Sequence, residues 1–178
     1  MRLFVRPLGL ETVLRSLRFK PLYYSHYNRV MDLRRIGLVG CVKQKTHKAQ
    51  MAQDLYISTL FGGRRSYVEA NCDEWWILSA LHGLVGPKEE LAPYEFTLKK
   101  LGVRDRRAWT SKLMIDIEER IHPLRGETFE VHAGAEYRNF GLIAGLTRIG
   151  CNVVIPTEGM PIGKQLKFYR EQEINRGG

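Results

Sequence analysis

The sequence predicts an α/β domain with a mainly parallel sheet of at least four strands and helices on both faces. Two observations favour this fold class. Short apolar runs alternate with segments of helical periodicity along the chain, as in folds built on parallel strands. Each apolar run also ends in small residues that lead into a polar segment, as expected of the loops that follow strands in such sheets. A chain of 178 residues is long enough for one domain with a full core.

Four apolar runs are predicted to be strands, because each is short and bounded by turn-forming residues. They are "RIGLVGC" at 35–41, "WWILSA" at 75–80, "TFEVHAG" at 128–134 and "NVVIP" at 152–156. The second run is followed by "LHGLVGPKEELAP", in which two glycines and two prolines predict a rigid loop.

Helices are predicted between these strands. The clearest is 104–122, where an apolar residue recurs every four positions before Pro123 ends the helix. Its stripe consists of Trp109, Leu113, Ile117 and Ile121. The same reasoning predicts helices at 49–61, 64–71 and 135–150, and a last helix that starts near Ile162.

The charge distribution divides the chain into three segments. The net charge is +9, and residues 1–35 contribute +6 of it with eight Lys or Arg and two acidic residues. We expect a basic N-terminal arm at 1–35, one α/β domain at 36–172 and a frayed tail at 173–178. Four explanations of the basic arm are open. It contacts nucleic acid or another anionic surface, it is disordered, it is a targeting peptide, or the true translation start is Met31.

The composition argues against several classes of protein. No run approaches the ~20 apolar residues that a membrane-spanning helix needs, so no membrane partner is expected. The three cysteines are odd in number and have no CxxC spacing, which argues against a zinc site and a disulfide framework. A reducing cytoplasm is therefore the expected location. We predict neither a metal nor a cofactor, and the sequence does not determine the oligomeric state.

Polar residues follow all four predicted strands, at 40–45, 79–83, 132–138 and 156–159. Because the carboxyl ends of parallel strands meet at one edge of a sheet, we expect these segments to surround a common crevice. Cys41, His82, Glu136 and Glu158 should then meet around one hollow. This convergence is the main reason to predict a ligand site.

Three residues are candidates for catalytic proton transfer: Glu136, His82 and Glu158. Two of them have simpler explanations. Glu136 lies in the first turn of a predicted helix, where the helix dipole alone favours a carboxylate. His82 is also explained as a loop histidine that is hydrogen-bonded to the backbone.

Eight residues are predicted to bind the ligand. Lysines suit a phosphate, tyrosines suit stacking or hydrogen bonding to a base, and a cysteine beside lysines suits a nucleophile. Solvated lysines, core-capping tyrosines and a buried structural cysteine explain the same residues. The set is Cys41, Lys43, Ser79, Pro93, Tyr94, Gly134, Tyr137 and Lys164.

Three segments resemble the YaaA peroxide-stress family. "LSALHGLVGPKEELAPYEFTL" at 78–98 is similar to its signature loop, "VHAGAEYR" at 131–138 to its Ala-Ser-x-Glu-Tyr segment, and "GKQLKFY" at 163–169 to its Gly-Lys. The strand that ends in Cys41 and leads to Lys43 is also similar to a domain of archaeosine synthase, which acts on a deazaguanine base in transfer RNA.

The resemblance covers roughly 36–170. It implies an α/β fold with a positively charged cleft, and DNA binding linked to protection from oxidative damage. It implies that the cleft is lined by Lys43, Ser79, His82, Pro93, Tyr94, Glu136, Tyr137 and Lys164. The chain departs from the pattern at His82, where the family has Tyr, and at Glu95, where it has Arg. Between Leu98 and Arg104 there is no room for the family's inserted DNA-binding element.

Two functions from different classes follow from these residues. The first is an enzyme-like pocket for a nucleobase or nucleotide, acting on a modified or damaged base or on a glycosidic bond. The alternative is a non-catalytic DNA- or RNA-binding stress-response protein whose affinity comes from the basic arm and the lysines. A third option, a module that binds a protein partner, predicts an exposed apolar patch.

Overall fold

Five strands form the central sheet, and four of them run parallel. The computed structural model describes residues 33–175, so most of the predicted arm at 1–35 and the end of the tail at 173–178 lie outside the described residues. The strands are β1 (Arg35–Gly40), β2 (Gln50–Met51), β3 (Glu74–Ser79), β4 (Gly83–Val85), β5 (Glu90–Leu91), β6 (Thr128–His132) and β7 (Asn152–Val154).

The strand order in the sheet is β4-β3-β1-β6-β7. β1 lies at the centre and pairs in parallel with both β3 and β6, and β7 extends the parallel part beyond β6. Only β4 is antiparallel. The small strands β2 and β5 pair separately. The predicted fold class, a mainly parallel sheet of at least four strands, is confirmed.

Helices cover both faces of the sheet, as predicted. They are α1 (Ala52–Leu55), α2 (Thr59–Asn71), α3 (Val103–Arg120), α4 (Ala135–Arg138), α5 (Leu142–Arg148) and α6 (Ile162–Ile174), with a 3-10 helix at Leu98–Lys100. The last helix therefore extends two residues into the segment expected to be a frayed tail.

Side chains of β1 alternate between two apolar cores. Ile36 and Leu38 are fully buried on the face that α3 and α5 cover, and Val39 is fully buried on the face that α2 covers. At Gly37 a Cβ atom would lie 2.7 Å from Cγ1 of Val68 in α2. Glycine therefore allows the helix to approach the sheet closely, and the central strand β1 is buried on both sides.

The predicted helix at 104–122 is confirmed, because α3 spans Val103–Arg120. Leu113 and Ile117 on its predicted stripe are fully buried, and Ile121 directly after it is 1% exposed. No helix among residues 33–175 combines the length and apolar character needed to cross a membrane.

Two helix predictions were wrong in their extent. The segment 49–61 contains β2, the single turn of α1 and then a new helix, because Ser58 accepts a hydrogen bond from the backbone N–H of Phe61 and so caps α2. The segment 135–150 is divided into α4 and α5 at Gly141, whose φ of +124° is incompatible with a continuous helix.

The stretch predicted as a loop after the second strand contains a strand. Gly83 adopts a φ of +75°, and the chain turns back so that β4 pairs antiparallel with β3. Only Gly accommodates such a φ without strain. The side chain of His82 is exposed in this turn.

Candidate functional site

A cavity of about 680 Å³ lies beyond the carboxyl ends of β1 and β6. Its wall consists of the loop after β1, the segment 95–101, the start of α4 and the adjoining sides of α2 and α6. This position is the one expected for ligands in open α/β sheets, and the volume falls in the usual range for small-molecule sites.

Five of the predicted site residues line this cavity: Cys41, Lys43, Gly134, Glu136 and Tyr137. Two of the four strand ends that were expected to surround one crevice therefore contribute to this concave surface. The Glu136 carboxylate lies 3.8 Å from Nζ of Lys99, which also lines the cavity.

Ser79 and Tyr94 adjoin the cavity through hydrogen bonds. The Tyr94 hydroxyl donates to Sγ of Cys41 at 3.6 Å and lies 2.8 Å from Oγ of Ser79, which is fully buried. It also lies 3.0 Å from the Tyr56 hydroxyl. On the other side of the sulfur, the Tyr137 hydroxyl is 3.1 Å from Cys41 Sγ. The thiol is therefore flanked by two tyrosine hydroxyls.

Burial keeps these tyrosines protonated. Loss of hydration raises the pKa of Tyr56 to about 12, and a negative charge on Cys41 adds to that shift. The same two causes raise the pKa of Tyr94 and Tyr137. All three hydroxyls remain hydrogen-bond donors at neutral pH.

Six predicted site residues do not line the cavity: Ser79 and Tyr94, which adjoin it, and His82, Pro93, Glu158 and Lys164. His82 is exposed in the turn before β4, where its ring meets Tyr94 edge-on at 5.1 Å. Glu158 is exposed and pairs with Nη1 of Arg138 at 3.5 Å. The expectation that Cys41, His82, Glu136 and Glu158 meet around one hollow therefore does not hold for His82 and Glu158, because both side chains are exposed outside the cavity.

The most informative residue of the cavity, Arg64 of α2, was not predicted. It is only 5% exposed, and its Nη2 donates to Oε1 of Gln165 at 3.0 Å. Within residues 33–175 it forms no ion pair, and its Nε has no hydrogen-bond partner. Burial lowers the pKa of this guanidinium from its usual value, because desolvation disfavours the charged form.

The sequence pattern of a protein family matches residues 36–171, which is most of the chain. The chain belongs to the DUF6884 family. The description of this family is a family of unknown function, so membership does not assign an activity. No curated protein shows significant similarity to the chain.

Several further residues of this DUF6884 domain line the cavity. Lys45, Lys99 and Lys100 add positive charge, and Phe96 and Leu101 add apolar surface. Lys45 belongs to the polar segment 40–45 that was expected at this edge, and Phe96 belongs to the 78–98 loop. Lys99, Lys100 and Leu101 follow that loop and were missed. Lys45 places its Nζ 4.1 Å from the centre of the Tyr94 ring, a cation–π contact.

A buried polar cluster of the DUF6884 domain lies at the end of β6. The positive charge of Arg64 acts on its histidine, His132. Glu130 and His132 are fully buried, and Nδ1 of His132 is 2.8 Å from the Tyr169 hydroxyl of α6. Burial lowers the pKa of His132 even though Glu130 raises it. The imidazole is therefore neutral, and one hydrogen bond joins its Nδ1 to the Tyr169 hydroxyl.

Described residues offer no group of three or more His, Cys, Asp or Glu that could hold a metal ion. The side chains that line the cavity offer a thiol, two carboxylates, hydroxyl groups and several cations.

Proposed function

We propose that the cavity binds a nucleotide, either free or within a nucleic acid, with its phosphate on the cations and its base against the apolar wall. The observation that carries this proposal is the buried Arg64 guanidinium. A buried cation is costly unless opposing charges and hydrogen bonds offset its lost hydration. Glu136 acts on Arg64 without forming an ion pair with it, and Nε has no hydrogen-bond partner in the described part of the chain. An anionic ligand would add the missing counter-charge.

The charge of the wall supports an anionic ligand. Five cationic side chains line the cavity against two acidic ones, and one acid, Glu136, already faces Lys99. A concave surface with an excess of one sign concentrates the opposite charge. Arginine is suited to phosphate because its planar fork donates two parallel hydrogen bonds.

The size and the apolar side of the wall support a ligand larger than phosphate. Leu60, Phe96, Leu101 and Ile162 line the cavity together with Tyr137. A flat base would pack on such surface, and Glu136 offers a carboxylate to accept its N–H groups or to exchange a proton with it. His82 and Glu158 have no part in this binding proposal because they do not line the cavity.

The resemblance of the 78–98 loop to the YaaA family also favours a ligand related to nucleic acids. Tyr94, which that resemblance singled out, contacts the cavity cysteine. The resemblance itself stays a prediction, as do stress response and base modification.

Thermal unfolding of the full chain with the four ribonucleoside monophosphates, the matching nucleosides and inorganic phosphate tests the proposal. We expect at least one nucleotide to raise the melting temperature more than its nucleoside or phosphate does, because both parts of the cavity contribute. Arg64→Gln should weaken that nucleotide at least about tenfold, because a charged hydrogen bond is lost.

Arg64→Lys, which keeps the charge, and Arg104→Gln on the exposed start of α3 are the matched controls. Equal binding by Arg64→Gln would contradict the proposal. Tight, steeply salt-dependent binding of oligonucleotides that Arg64→Gln leaves unchanged would favour the non-catalytic nucleic-acid-binding alternative.

A further inference from the structure

We propose that Cys41 is a nucleophile that bonds covalently to the ligand in the cavity, and that the hydroxyls of Tyr94 and Tyr137 hold its thiolate. This inference deepens the proposed function and rests on it for the identity of the ligand. A cysteine in a cavity is not in itself a site. Here it shares the cavity with the guanidinium of Arg64, which is 5% exposed and, among the described residues, forms no ion pair and has one N–H group, Nε, without a hydrogen-bond partner. This buried charge independently favours an anionic occupant.

The direction of the hydrogen bonds supports a thiolate. Each hydroxyl has one proton, and the Tyr94 hydroxyl donates its proton to Cys41 Sγ. Ser79 and Tyr56 must then donate to the Tyr94 oxygen, at 2.8 and 3.0 Å. Such a chain polarises each hydroxyl toward the sulfur.

The backbone of the turn before β4 completes this chain. The N–H of His82 donates to Oγ of Ser79 at 3.1 Å, so the Ser79 proton is directed at Tyr94. The rigid loop after β3 thereby acts on the sulfur although its histidine side chain does not line the cavity. Tyr137 approaches from α4, and its hydroxyl, 3.1 Å from the sulfur, can donate a second hydrogen bond to a thiolate.

The other two cysteines lack this environment. Burial, with a contribution from Glu130, raises the pKa of the Cys72 thiol to about 12, and burial raises the pKa of the Cys151 thiol, whose Sγ donates to the carbonyl of Leu124. Neither lines the cavity. Both thiols are protonated at neutral pH and serve as internal references.

The chemical class of the ligand follows from two residues of the cavity, Arg64 and Cys41. Arg64 would hold an anionic group such as a phosphate, and an electrophilic carbon of the base would lie beside Cys41. Attack on a C=N or C=O carbon forms an S–C bond and moves the π pair to the heteroatom. The proton that the thiol gives up ends on that heteroatom, so the step is a net addition of S–H and needs no oxidant or reductant.

Site-resolved alkylation of the native full chain tests the proposal. Iodoacetate and iodoacetamide each form an S–C bond to the thiolate while iodide leaves with the C–I pair, and mass spectrometry of the digest reports each cysteine. At neutral pH we expect Cys41 to react at least about 100-fold faster than Cys72. Relative to glutathione, Cys41 should also prefer the anionic iodoacetate, and Arg64→Gln should remove that preference.

Tyr94→Phe and Tyr137→Phe should each slow the alkylation of Cys41 about tenfold, because each removes a hydrogen bond to a charged sulfur. Tyr67→Phe, outside the cavity, is the matched control. Melting temperatures separate these effects from unfolding, since an unfolded chain exposes Cys72 and Cys151 to alkylation as well.

Equal rates at Cys41 and Cys72, or unchanged rates in both tyrosine variants, would overturn the proposal. Nucleotide binding separates it from the proposed function. If Cys41→Ser binds a nucleotide but Cys41 of the original chain is alkylated slowly, the proposed nucleophile is wrong and the binding site is retained. If no nucleotide binds but Cys41 is alkylated rapidly and both tyrosine variants slow that reaction, the nucleophile is retained and the ligand belongs to another anionic class.

Discussion

Nη2 of Arg64 donates a hydrogen bond to Oε1 of Gln165 at 3.0 Å, and both side chains line the same cavity. The amide of Gln165 is oriented by a second bond, from its Nε2 to the carbonyl of Met160 at 2.8 Å. A neutral acceptor therefore satisfies part of the buried guanidinium without cancelling its charge. This relationship between α2 and α6 leaves the positive charge available to a ligand.

Gln165→Glu is predicted to weaken anion binding. A carboxylate at this position would neutralise Arg64, so the affinity for nucleotide should fall at least about tenfold. Isothermal titration calorimetry with the nucleotide that stabilises the original chain measures the change. Gln53→Glu, which adds the same charge outside the cavity, should bind normally, and comparable losses in both variants would contradict the prediction.

Gln165→Leu should act on stability instead. It removes the acceptor and leaves a buried guanidinium less satisfied, so the free energy of unfolding should fall by about 1–3 kcal/mol. Urea unfolding measures the loss. Added nucleotide should restore more stability to this variant than to the original chain, because the ligand then supplies the missing partner.

Acid should destabilise the domain through His132 before the surface carboxylates are protonated. Burial lowers the pKa of His132 in the folded chain, whereas the unfolded chain has the ordinary value near 6.5. The unfolded state therefore binds the extra proton first. The contribution of His132 to the free energy of unfolding is therefore fully present above about pH 6.5. It decreases as the pH falls below that value, by at most about 1.4 kcal/mol per pH unit.

The groups that face His132 all lie on packed elements: Glu130 on the same strand, Arg35 on β1, Arg64 and Tyr67 on α2, and Tyr169 on α6. Burial raises the pKa of the Glu130 carboxyl, but hydrogen bonding to His132 and pairing with Arg35 outweigh that effect. The pKa of Glu130 is therefore lower than usual. His132→Asn keeps an acceptor for Tyr169 but cannot titrate. Unfolding midpoints of this variant should depend less on pH between about 6.5 and 5; an equal dependence would exclude His132 as the cause.

Tyr94→Phe and Tyr137→Phe should differ in their cost to stability. The Tyr94 hydroxyl satisfies the fully buried Ser79 and also contacts Tyr56 and Cys41, so its loss should cost about 1–3 kcal/mol. The Tyr137 hydroxyl contacts Cys41, and its loss should cost less. Chemical unfolding of the two variants in parallel checks the order, and a larger cost at position 137 would contradict it.

The sheet and α3 could be predicted because their signals are strong and local. The parallel strands are short apolar runs, of which β1 is buried on both faces, and α3 has a stripe that repeats every four residues. β4 could not be predicted, because three residues between a histidine turn and Gly-Pro carry too little pattern. Gly141 was missed because a single glycine within a helical pattern is often tolerated.

Part of the cavity could be predicted, because strand ends are easy to recognise in the sequence. Cys41 and Glu136 follow parallel strands, so topology alone brings them together. Arg64 belongs to a helix, where two consecutive arginines suggest a solvated face. A signal was present, since Arg64 lies three residues after Phe61 and four before Val68, and both of these are fully buried. That spacing places all three on one face of α2.

Two glycines at neighbouring strand ends should respond differently to alanine. At Gly134 a Cβ would lie 2.4 Å from Oε2 of Glu136, the mobile end of a side chain, whereas at Gly40 it would lie 2.8 Å from Cβ and 3.1 Å from Cα of Ala133. Gly134→Ala should therefore keep nearly full stability while displacing the Glu136 carboxylate and weakening the nucleotide. Gly40→Ala should cost about 1–3 kcal/mol, because β1 and β6 are paired and cannot separate locally. Urea unfolding and nucleotide titration of both variants measure the contrast, and a stable Gly134→Ala that binds as well as the original chain would show that the position of Glu136 is unimportant for the ligand.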